Sequence, residues 1–285
     1  MVLHAARTFA AMGAAALYKA TGEERYREEA DSAMRSYIRR MDHPKGRWEK
    51  AMPGKPRRLS HGHFMILANL GSVMKDCLGS DEYEAETERA VRTVLEKFWN
   101  PEYRVLFENV NPDGSFDLDS CEGRFLNPGH GLESMWFVMS YAERRNDPAM
   151  IRKAAEIVKA QLEFGIDREY GGIYYFMDVL GKPNPELQWD MKLWWPHNEA
   201  ILATLFAFRL TGEAYFLHRW GWSHFRDPDY PEWFAYLNRR GEPTHLLKGG
   251  KWKTMFHLPR CLLIAVEQMK RIETENADRT VLAGK

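Results

Sequence analysis

Helix pairs separated by short turns recur along this chain, and their recurrence restricts how it can fold. Each pair joins an apolar helix to a more charged one, and the turns fall at Gly22, Gly79, Asn146 and Gly212. The intervals between these turns are 57, 67 and 66 residues, which leave room for two helices and a connecting loop. The sequence therefore predicts stacked helical hairpins, with the apolar helix of each pair inside and the charged helix outside.

Capping residues and apolar periodicity predict nine helices in all. They span residues 2–20, 25–41, 62–78, 83–98, 129–144, 149–164, 196–210, 214–225 and 259–272. The loops at 101–114, 169–183 and 231–243 each carry an aromatic-rich, alternating run and a glycine turn, which predicts short β-hairpins. Residues 1–285 are expected to form a single domain, with a flexible tail from about 274 to 285.

The composition excludes several classes of function. Lys and Arg total 40, as do Asp and Glu, so the formal net charge is zero, and the charges are mixed along the chain. We therefore expect no surface for nucleic acid or an anionic membrane, and a small neutral partner fits better. Three widely spaced cysteines without a C-x-x-C pair suit a reducing, cytoplasmic compartment. Arg7 interrupts the apolar start of the chain, which argues against a signal peptide.

Side chains capable of chemistry lie where the predicted inner helices begin. The starts read S-H-G-H at 60–63, N-P-G-H-G-L-E at 127–133, W-P-H-N-E at 195–199 and F-H-L-P-R at 256–260. Since each start occupies the same phase of the repeat, all should converge at one end of the assembly. Histidines, carboxylates and an arginine that meet there predict a catalytic pocket, which a peptide-binding solenoid would not need.

His130 is the first candidate catalytic residue. It lies in the first turn of a predicted helix, behind the capping residue Asn127 and Pro128. A second positive charge at the positive end of a helix dipole is disfavoured, so we expect a neutral imidazole, as a general base must be. Glu133 follows three residues later on the same face and could orient an imidazole or bind a hydroxyl group.

Four long motifs give the chain a family resemblance. They are N-P-G-H-G-L-E, K-L-W-W-P-H-N-E-A, F-R-D-P-D-Y-P-E-W-F-A-Y-L and K-G-G-K-W-K-T-M-F-H-L-P-R-C-L, in this order. They resemble the motifs of the N-acylglucosamine 2-epimerase family. The resemblance implies an all-α (α/α)6 barrel and an isomerase that interconverts N-acetyl-D-glucosamine and N-acetyl-D-mannosamine through removal and return of the C2 proton.

The resemblance also implies roles for individual residues. His130 and His257 match the acid–base pair of the family, and Glu199 and Arg260 match residues that serve the site. The residue types suit the chemistry, because an enediolate needs a base, an acid on the opposite face and a donor for the carbonyl oxygen. Arg260, one turn from His257, could be that donor. Which histidine serves which face stays open.

Glu133 and His197 complete the predicted substrate-binding set. His197 could equally be a structural cap, and Glu133 a partner of the helix dipole. No metal or cofactor is predicted, because His61 and His63 point apart on a helix and no H-E-x-x-H or phosphate-binding glycine motif occurs. Aromatic residues that could stack on a sugar are instead predicted to pack the core. They are Trp136, Trp194, Trp195, Tyr174 and Tyr175.

The predicted helices are fewer than the family fold requires. A family barrel has twelve helices in six pairs, so the resemblance implies an incomplete barrel that lacks the N-terminal part. At about 65 residues per repeat, closure needs on the order of 390 residues. An open barrel would expose apolar flanks of the first and last inner helices. The alternatives are an aldose–ketose isomerase that uses an enediol, another sugar 2-epimerase of the same superfamily, or an inactive remnant that binds another protein. Homodimer formation stays open.

Overall fold

The structure is a computed structural model that describes residues 2–42, 54, 56–214 and 218–283. Its helices are α1 (Val2–Thr21), α2 (Glu24–Asp42), α3 (His61–Leu78), α4 (Glu84–Thr93, continued by a π-helical turn at Val94–Phe98), α5 (Pro128–Arg144), α6 (Pro148–Gly165), α7 (Trp194–Thr211), α8 (His218–Phe225) and α9 (His257–Ala283). Its strands are β1 (Leu59–Ser60), β2 (Trp99–Asn100), β3 (Val105–Leu106), β4 (Asn109–Val110), β5 (Phe125–Leu126), β6 (Met177–Asp178), β7 (Lys192–Leu193) and β8 (Tyr236–Leu237). Regular structure in these residues is therefore mostly helical, as predicted.

Two helices that carry predicted site residues begin earlier than the sequence indicates. α7 begins at Trp194 and α9 at His257, each two residues before the proline that marked the predicted start. Both prolines occupy the third helical position, where the missing N–H would have no intrahelical acceptor in any case. α9 also continues to Ala283, past the predicted end at residue 272. Part of the predicted helix 214–225 lies outside the described residues, which resume at residue 218.

The chain divides into two compact units. The first consists of residues 1–98 and 108–117, and the second of residues 99–107 and 118–285. In the first unit, α1 packs against α2 and α3, and α3 packs against α4. In the second, α5, α7 and α9 pack side by side, while α6 packs against α5 and α7, and α8 against α7. Within each unit the predicted inner helices therefore form one row. That residues 1–285 form a single domain stays a prediction.

Each turn between paired helices contains one residue in the left-handed conformation. The backbone angle φ is +72° at Gly22, +65° at Gly79, +81° at Gly212 and +52° at Asn146. The N–H of each glycine donates to the carbonyl oxygen four residues earlier, at 2.8 to 2.9 Å, and so ends its helix. Asparagine tolerates this conformation better than most residues with a side chain, which explains its use in the third turn.

Short antiparallel pairings connect the loops to the helix starts. β2 and β3 form a local hairpin, and single bridges join Ile166 to Ile173 and Arg226 to Trp233. In addition, β1 pairs with β4, β5 with β6, and β7 with β8, which the sequence did not predict. Each of these pairs links the residues directly before an inner helix to the loop after the next outer helix. The strands therefore anchor the starts of α3, α5 and α7.

The first and last inner helices, α1 and α9, expose apolar side chains, as predicted. On α9 the exposed residues are Leu262, Leu263, Val266 and Met269, and on α1 they are Phe9 and Leu17. The central helix α7, in contrast, buries most of its side chains. Among the described residues, none of the helices has both the length and the apolarity needed to cross a bilayer.

Candidate active site

The starts of three inner helices bring polar side chains together in the second unit. α5 contributes Glu133, α7 contributes Glu199, and α9 contributes His257 and Arg260. One carboxylate oxygen of each glutamate and one ring nitrogen of the histidine lie within 4.8 Å of one another. Four predicted site residues are thus neighbours. The start at 60–63 belongs to the first unit, and its convergence with the other three stays a prediction.

Glu199 lies at the centre of this cluster. Its side chain is fully buried, and its Oε1 accepts hydrogen bonds from Nδ1 of His257 at 2.7 Å and from Nη2 of Arg260 at 2.6 Å. Its Oε2 accepts from the indole Nε1 of Trp136 at 2.8 Å. The same Nη2 of Arg260 donates to Oε1 of Glu133 at 2.8 Å. Both oxygens of Glu199 are therefore satisfied by donors from three side chains.

These contacts keep Glu199 ionised and define the hydrogen position on His257. Burial alone would raise the pKa of Glu199, but the charge of Arg260 and the hydrogen bonds from His257 and the indole hold it well below its usual range. Because a carboxylate can only accept, the hydrogen of the neutral imidazole must lie on Nδ1. Nε2 of His257 is then the ring nitrogen that can take a proton from a substrate.

Arg260 is enclosed by aromatic rings and carboxylates. Its guanidinium carbon lies 4.1 Å from the ring centroid of Phe256 and 5.2 Å from that of Trp136. Burial would lower the pKa of Arg260, but Glu199 and Glu133 outweigh burial and raise it. Its Nε and Nη1 have no hydrogen-bond partner among the described residues. Both atoms are buried, so the guanidinium keeps two unsatisfied donors beside the cluster.

The cluster also contains residue types that can bind a metal. Glu133, Glu199 and His257 offer two carboxylate oxygens and an imidazole nitrogen at suitable spacing. However, Nη2 of Arg260 donates to both carboxylates within 2.8 Å and so already supplies the positive charge between them. The geometry therefore favours a site in which the guanidinium of Arg260, and not a metal ion, pairs with the two carboxylates. The absence of a metal and of a cofactor stays a prediction.

The two predicted acid–base histidines contact the same tryptophan. His130 lies in the first turn of α5, where its backbone N–H donates to Oδ1 of the N-cap residue Asn127 at 3.1 Å. Its ring centroid is 5.1 Å from that of Trp195, and the ring of His257 is 5.5 Å from the same indole. Tyr175 meets this indole edge-on at 6.1 Å. Both histidines therefore lie in the same aromatic region of the second unit.

Gly129 allows the indole of Trp195 to approach α5. A Cβ at position 129 would lie 2.8 Å from Cζ3 of Trp195 and 2.9 Å from Cβ of Pro196. We expect Gly129→Ala to displace the indole and to lower the free energy of unfolding by about 1–3 kcal/mol. Gly62→Ala is the matched control in the first turn of α3, since a Cβ there meets nothing within 4 Å. Urea denaturation followed by circular dichroism compares the two; equal stability would contradict the close packing.

His197 lies in α7, but both of its ring nitrogens contact the backbone. Nδ1 donates to the carbonyl oxygen of Leu193 at 2.7 Å, and Nε2 accepts from the N–H of Ile173 at 2.9 Å. Burial lowers the pKa of His197 to about 3, despite the opposing effect of the bond to Leu193. A neutral, fully bonded ring has no free nitrogen for a sugar hydroxyl. We therefore leave His197 out of the proposed site.

Sequence reasoning missed the contact that Trp136 makes in the site. The sequence predicts core packing for Trp136, which is indeed buried, but its indole N–H donates to Glu199. The available signal was its spacing, since Trp136 follows Glu133 by three residues and so shares the face of α5 that carries the carboxylate. Trp195 was also assigned to the core, and it contacts both predicted catalytic histidines.

A buried ion network supports the strand that leads into α7. Oδ2 of Asp167 accepts from Nζ of Lys192 at 3.1 Å and from Nε of Arg239 at 2.9 Å, and the Lys192 side chain is fully buried. Lys192 lies in β7, and this strand directly precedes Trp194, the first residue of α7. The network therefore fixes the start of the helix that carries Glu199. Its members are too far apart in the chain for spacing to reveal them.

Comparison with known sequences gives consistent matches. The sequence model of the N-acylglucosamine 2-epimerase family matches residues 4–261. N-acylglucosamine 2-epimerases from Bos taurus and Homo sapiens are 36% and 34% identical over 283 and 267 residues. These alignments cover 94% and 89% of the chain, but 65% and 61% of the relatives. The chain thus spans somewhat less than two thirds of the length of these relatives.

Comparison with solved structures supports the fold. A D-mannose isomerase matches with a TM-score of 0.75 at 15% identity. A cellobiose 2-epimerase from Bacillus thermoamylovorans B4167 matches with a TM-score of 0.74 at 14% identity. Each match covers 93% of this chain and 71% of the solved chain. The predicted fold class, an all-α fold of the (α/α)6-barrel type, is confirmed, with nine α-helices in the described residues.

Proposed function

Because this chain belongs to the N-acylglucosamine 2-epimerase family, we propose that it is a sugar 2-epimerase. The proposed reaction interconverts N-acetyl-D-glucosamine and N-acetyl-D-mannosamine by proton transfer at C2. The observation that carries the proposal is the cluster of Glu199, His257 and Arg260, with His130 against the same indole as His257. Because the chain spans 61% to 65% of the length of these relatives, we propose both its activity and its substrate.

The reaction requires two groups that exchange protons on opposite faces of one carbon. The C2 proton of an open-chain N-acylamino sugar is acidic because the adjacent aldehyde takes up charge as an enolate. One histidine removes the proton, and the C–H electron pair moves into the enolate. The other histidine then delivers a proton to the opposite face, which inverts C2. His130 and His257 exchange these roles in the reverse direction.

Glu199 and Arg260 support these transfers in different ways. Glu199 holds Nδ1 of His257, leaves Nε2 for the substrate, and stabilises the imidazolium that forms when His257 takes a proton. Arg260 places its positive charge beside the cluster, where it stabilises the negative charge that develops on the carbonyl oxygen. Glu133 binds the same guanidinium and fixes its plane. This chemistry requires no cofactor.

Hydrogen exchange at C2 tests the proposal. We expect incubation with N-acetyl-D-mannosamine in deuterated water to remove the C2 proton signal and to produce N-acetyl-D-glucosamine labelled at C2. Incubation with D-mannose tests the isomerase alternative, since a ketose product would favour it. No exchange with either sugar, in protein that circular dichroism shows to be folded, would contradict both enzyme activities and favour a binding role.

A further inference from the structure

Trp136 takes no part in the proton transfers, yet it donates a hydrogen bond to Glu199. We propose that Trp136 is a positioning residue that holds one oxygen of Glu199 so that the other serves His257 and Arg260. The indole Nε1 donates to Oε2 at 2.8 Å, and both side chains are buried. The catalytic consequence rests on the proposed function, whereas the contact can be tested without turnover.

Rotation of the Glu199 carboxylate explains the need for such a residue. Oε1 receives two donors, Nδ1 of His257 and Nη2 of Arg260, at 2.7 and 2.6 Å. Without the indole, Oε2 would be a buried acceptor with no side-chain donor from this cluster, which is costly. Rotation of the carboxylate would then be favourable, because each oxygen could accept a hydrogen bond from one of the two remaining donors. Rotation would loosen the imidazole, whose orientation proton transfer requires.

Packing fixes the direction of the indole N–H. Phe206 stacks on Trp136 with ring centroids 5.7 Å apart and an angle of 26° between the planes. Phe137 contacts the same indole edge-on at 4.2 Å. Arg260 lies over its face at 5.2 Å. Trp136 thus touches the guanidinium with its face and Glu199 with its edge, so that one rigid side chain orients two members of the site.

The same hydrogen bond affects how the site responds to acid. The titratable groups facing Glu199 are His257, Arg260 and Cys261 on α9 and Glu133 on α5. Burial raises the pKa of the carboxyl, and the indole donor is one of the groups that lower it. Loss of that donor raises the pKa of Glu199 in the variant. The carboxylate of Glu199 should therefore take up a proton at a higher pH in the variant than in the wild type.

The test compares Trp136→Phe with Phe206→Leu, which disturbs the same packing but keeps the indole N–H. For Trp136→Phe we expect kcat to fall about 10- to 100-fold, with KM little changed. Phe206→Leu should keep kcat close to that of the wild type. Equal losses of kcat in both variants, or no loss in either, would overturn the proposal, because a purely structural role predicts equal effects.

Proton NMR separates this proposal from the proposed function. A histidine N–H bound to a buried carboxylate exchanges slowly and gives a far-downfield signal, which Glu199→Gln assigns to Nδ1 of His257. We expect Trp136→Phe to broaden or remove this signal, while Phe206→Leu keeps it. Retention of the signal in Trp136→Phe would overturn the positioning role. Absence of C2 exchange in the wild type would instead contradict the epimerase activity, whatever the signal does.

Discussion

Replacing His130 or His257 with asparagine is expected to slow epimerisation by about 10²- to 10⁴-fold, the usual contribution of a general acid–base residue. Asparagine keeps a polar side chain of similar reach but cannot carry a proton between C2 and solvent. Both variants should lose activity, because inversion needs one group on each face of the carbon. The measurement is the initial rate of N-acetyl-D-glucosamine formation from N-acetyl-D-mannosamine, followed by proton NMR.

His245→Asn is the control for loss of an imidazole. His245 is exposed, and its ring contacts that of Tyr236, with the two centroids 5.5 Å apart. We expect this variant to epimerise at the wild-type rate. An active His130→Asn or His257→Asn variant, with circular dichroism unchanged, would remove that histidine from the mechanism. Comparable losses in all three variants would point to a general effect on folding.

Replacing Arg209 with methionine is expected to lower the free energy of unfolding by about 3 kcal/mol, since it removes the centre of a buried ion network. The Arg209 side chain is 2% exposed and joins the three inner helices of the second unit. Nε donates to Gln268 at 2.6 Å, Nη1 to Glu275 at 3.1 Å and Nη2 to Glu143 at 2.5 Å. Urea denaturation followed by circular dichroism measures the loss.

Arg271→Met is the matched control in the same network. Arg271 also donates to Glu143, but its side chain is 48% exposed, so we expect a loss below about 1 kcal/mol. Equal losses in Arg209→Met and Arg271→Met would contradict the central role of the buried arginine.

The pH dependence of stability gives an independent check. Burial raises the pKa of Glu143, but Arg209 and Arg271 outweigh burial and lower it. A carboxyl with a lowered pKa in the folded state stabilises the fold above its unfolded pKa, and this contribution is lost as the pH falls through the folded pKa. Arg209→Met should therefore lose less stability on acidification than the wild type. A steeper acid dependence in this variant would contradict the pairing.

The repeat and the inner row of helices could be predicted because they depend on local signals. Gly22, Gly79 and Gly212 mark the turns in the sequence, and each adopts the positive φ that favours glycine. The starts of α7 and α9 were placed two residues late because Pro196 and Pro259 were read as first helical positions, whereas both lie further inside the first turn. A proline there sacrifices no hydrogen bond, so it does not mark the boundary.

The contacts within the site depend on tertiary packing and were only partly predictable. Residue type and motif identified Glu199, His257 and Arg260, but not the hydrogen bonds between them, because 58 residues separate Glu199 from His257. His197 illustrates the opposite case: its motif suggested substrate contact, and only the positions of Leu193 and Ile173 reveal that both nitrogens are bonded. The pairing of β5 with β6 was missed because two-residue strands are too short to alternate.

Solvent exchange in the single histidine variants tests most directly whether two imidazoles serve opposite faces of one sugar carbon. If they do, each variant retains one base and still exchanges the C2 proton of one epimer in deuterated water, without forming the other. We predict that His130→Asn labels one of the two sugars and His257→Asn labels the other, while the wild type labels both. Labelling of the same sugar by both variants, or epimerisation near the wild-type rate in either, would contradict the two-histidine mechanism.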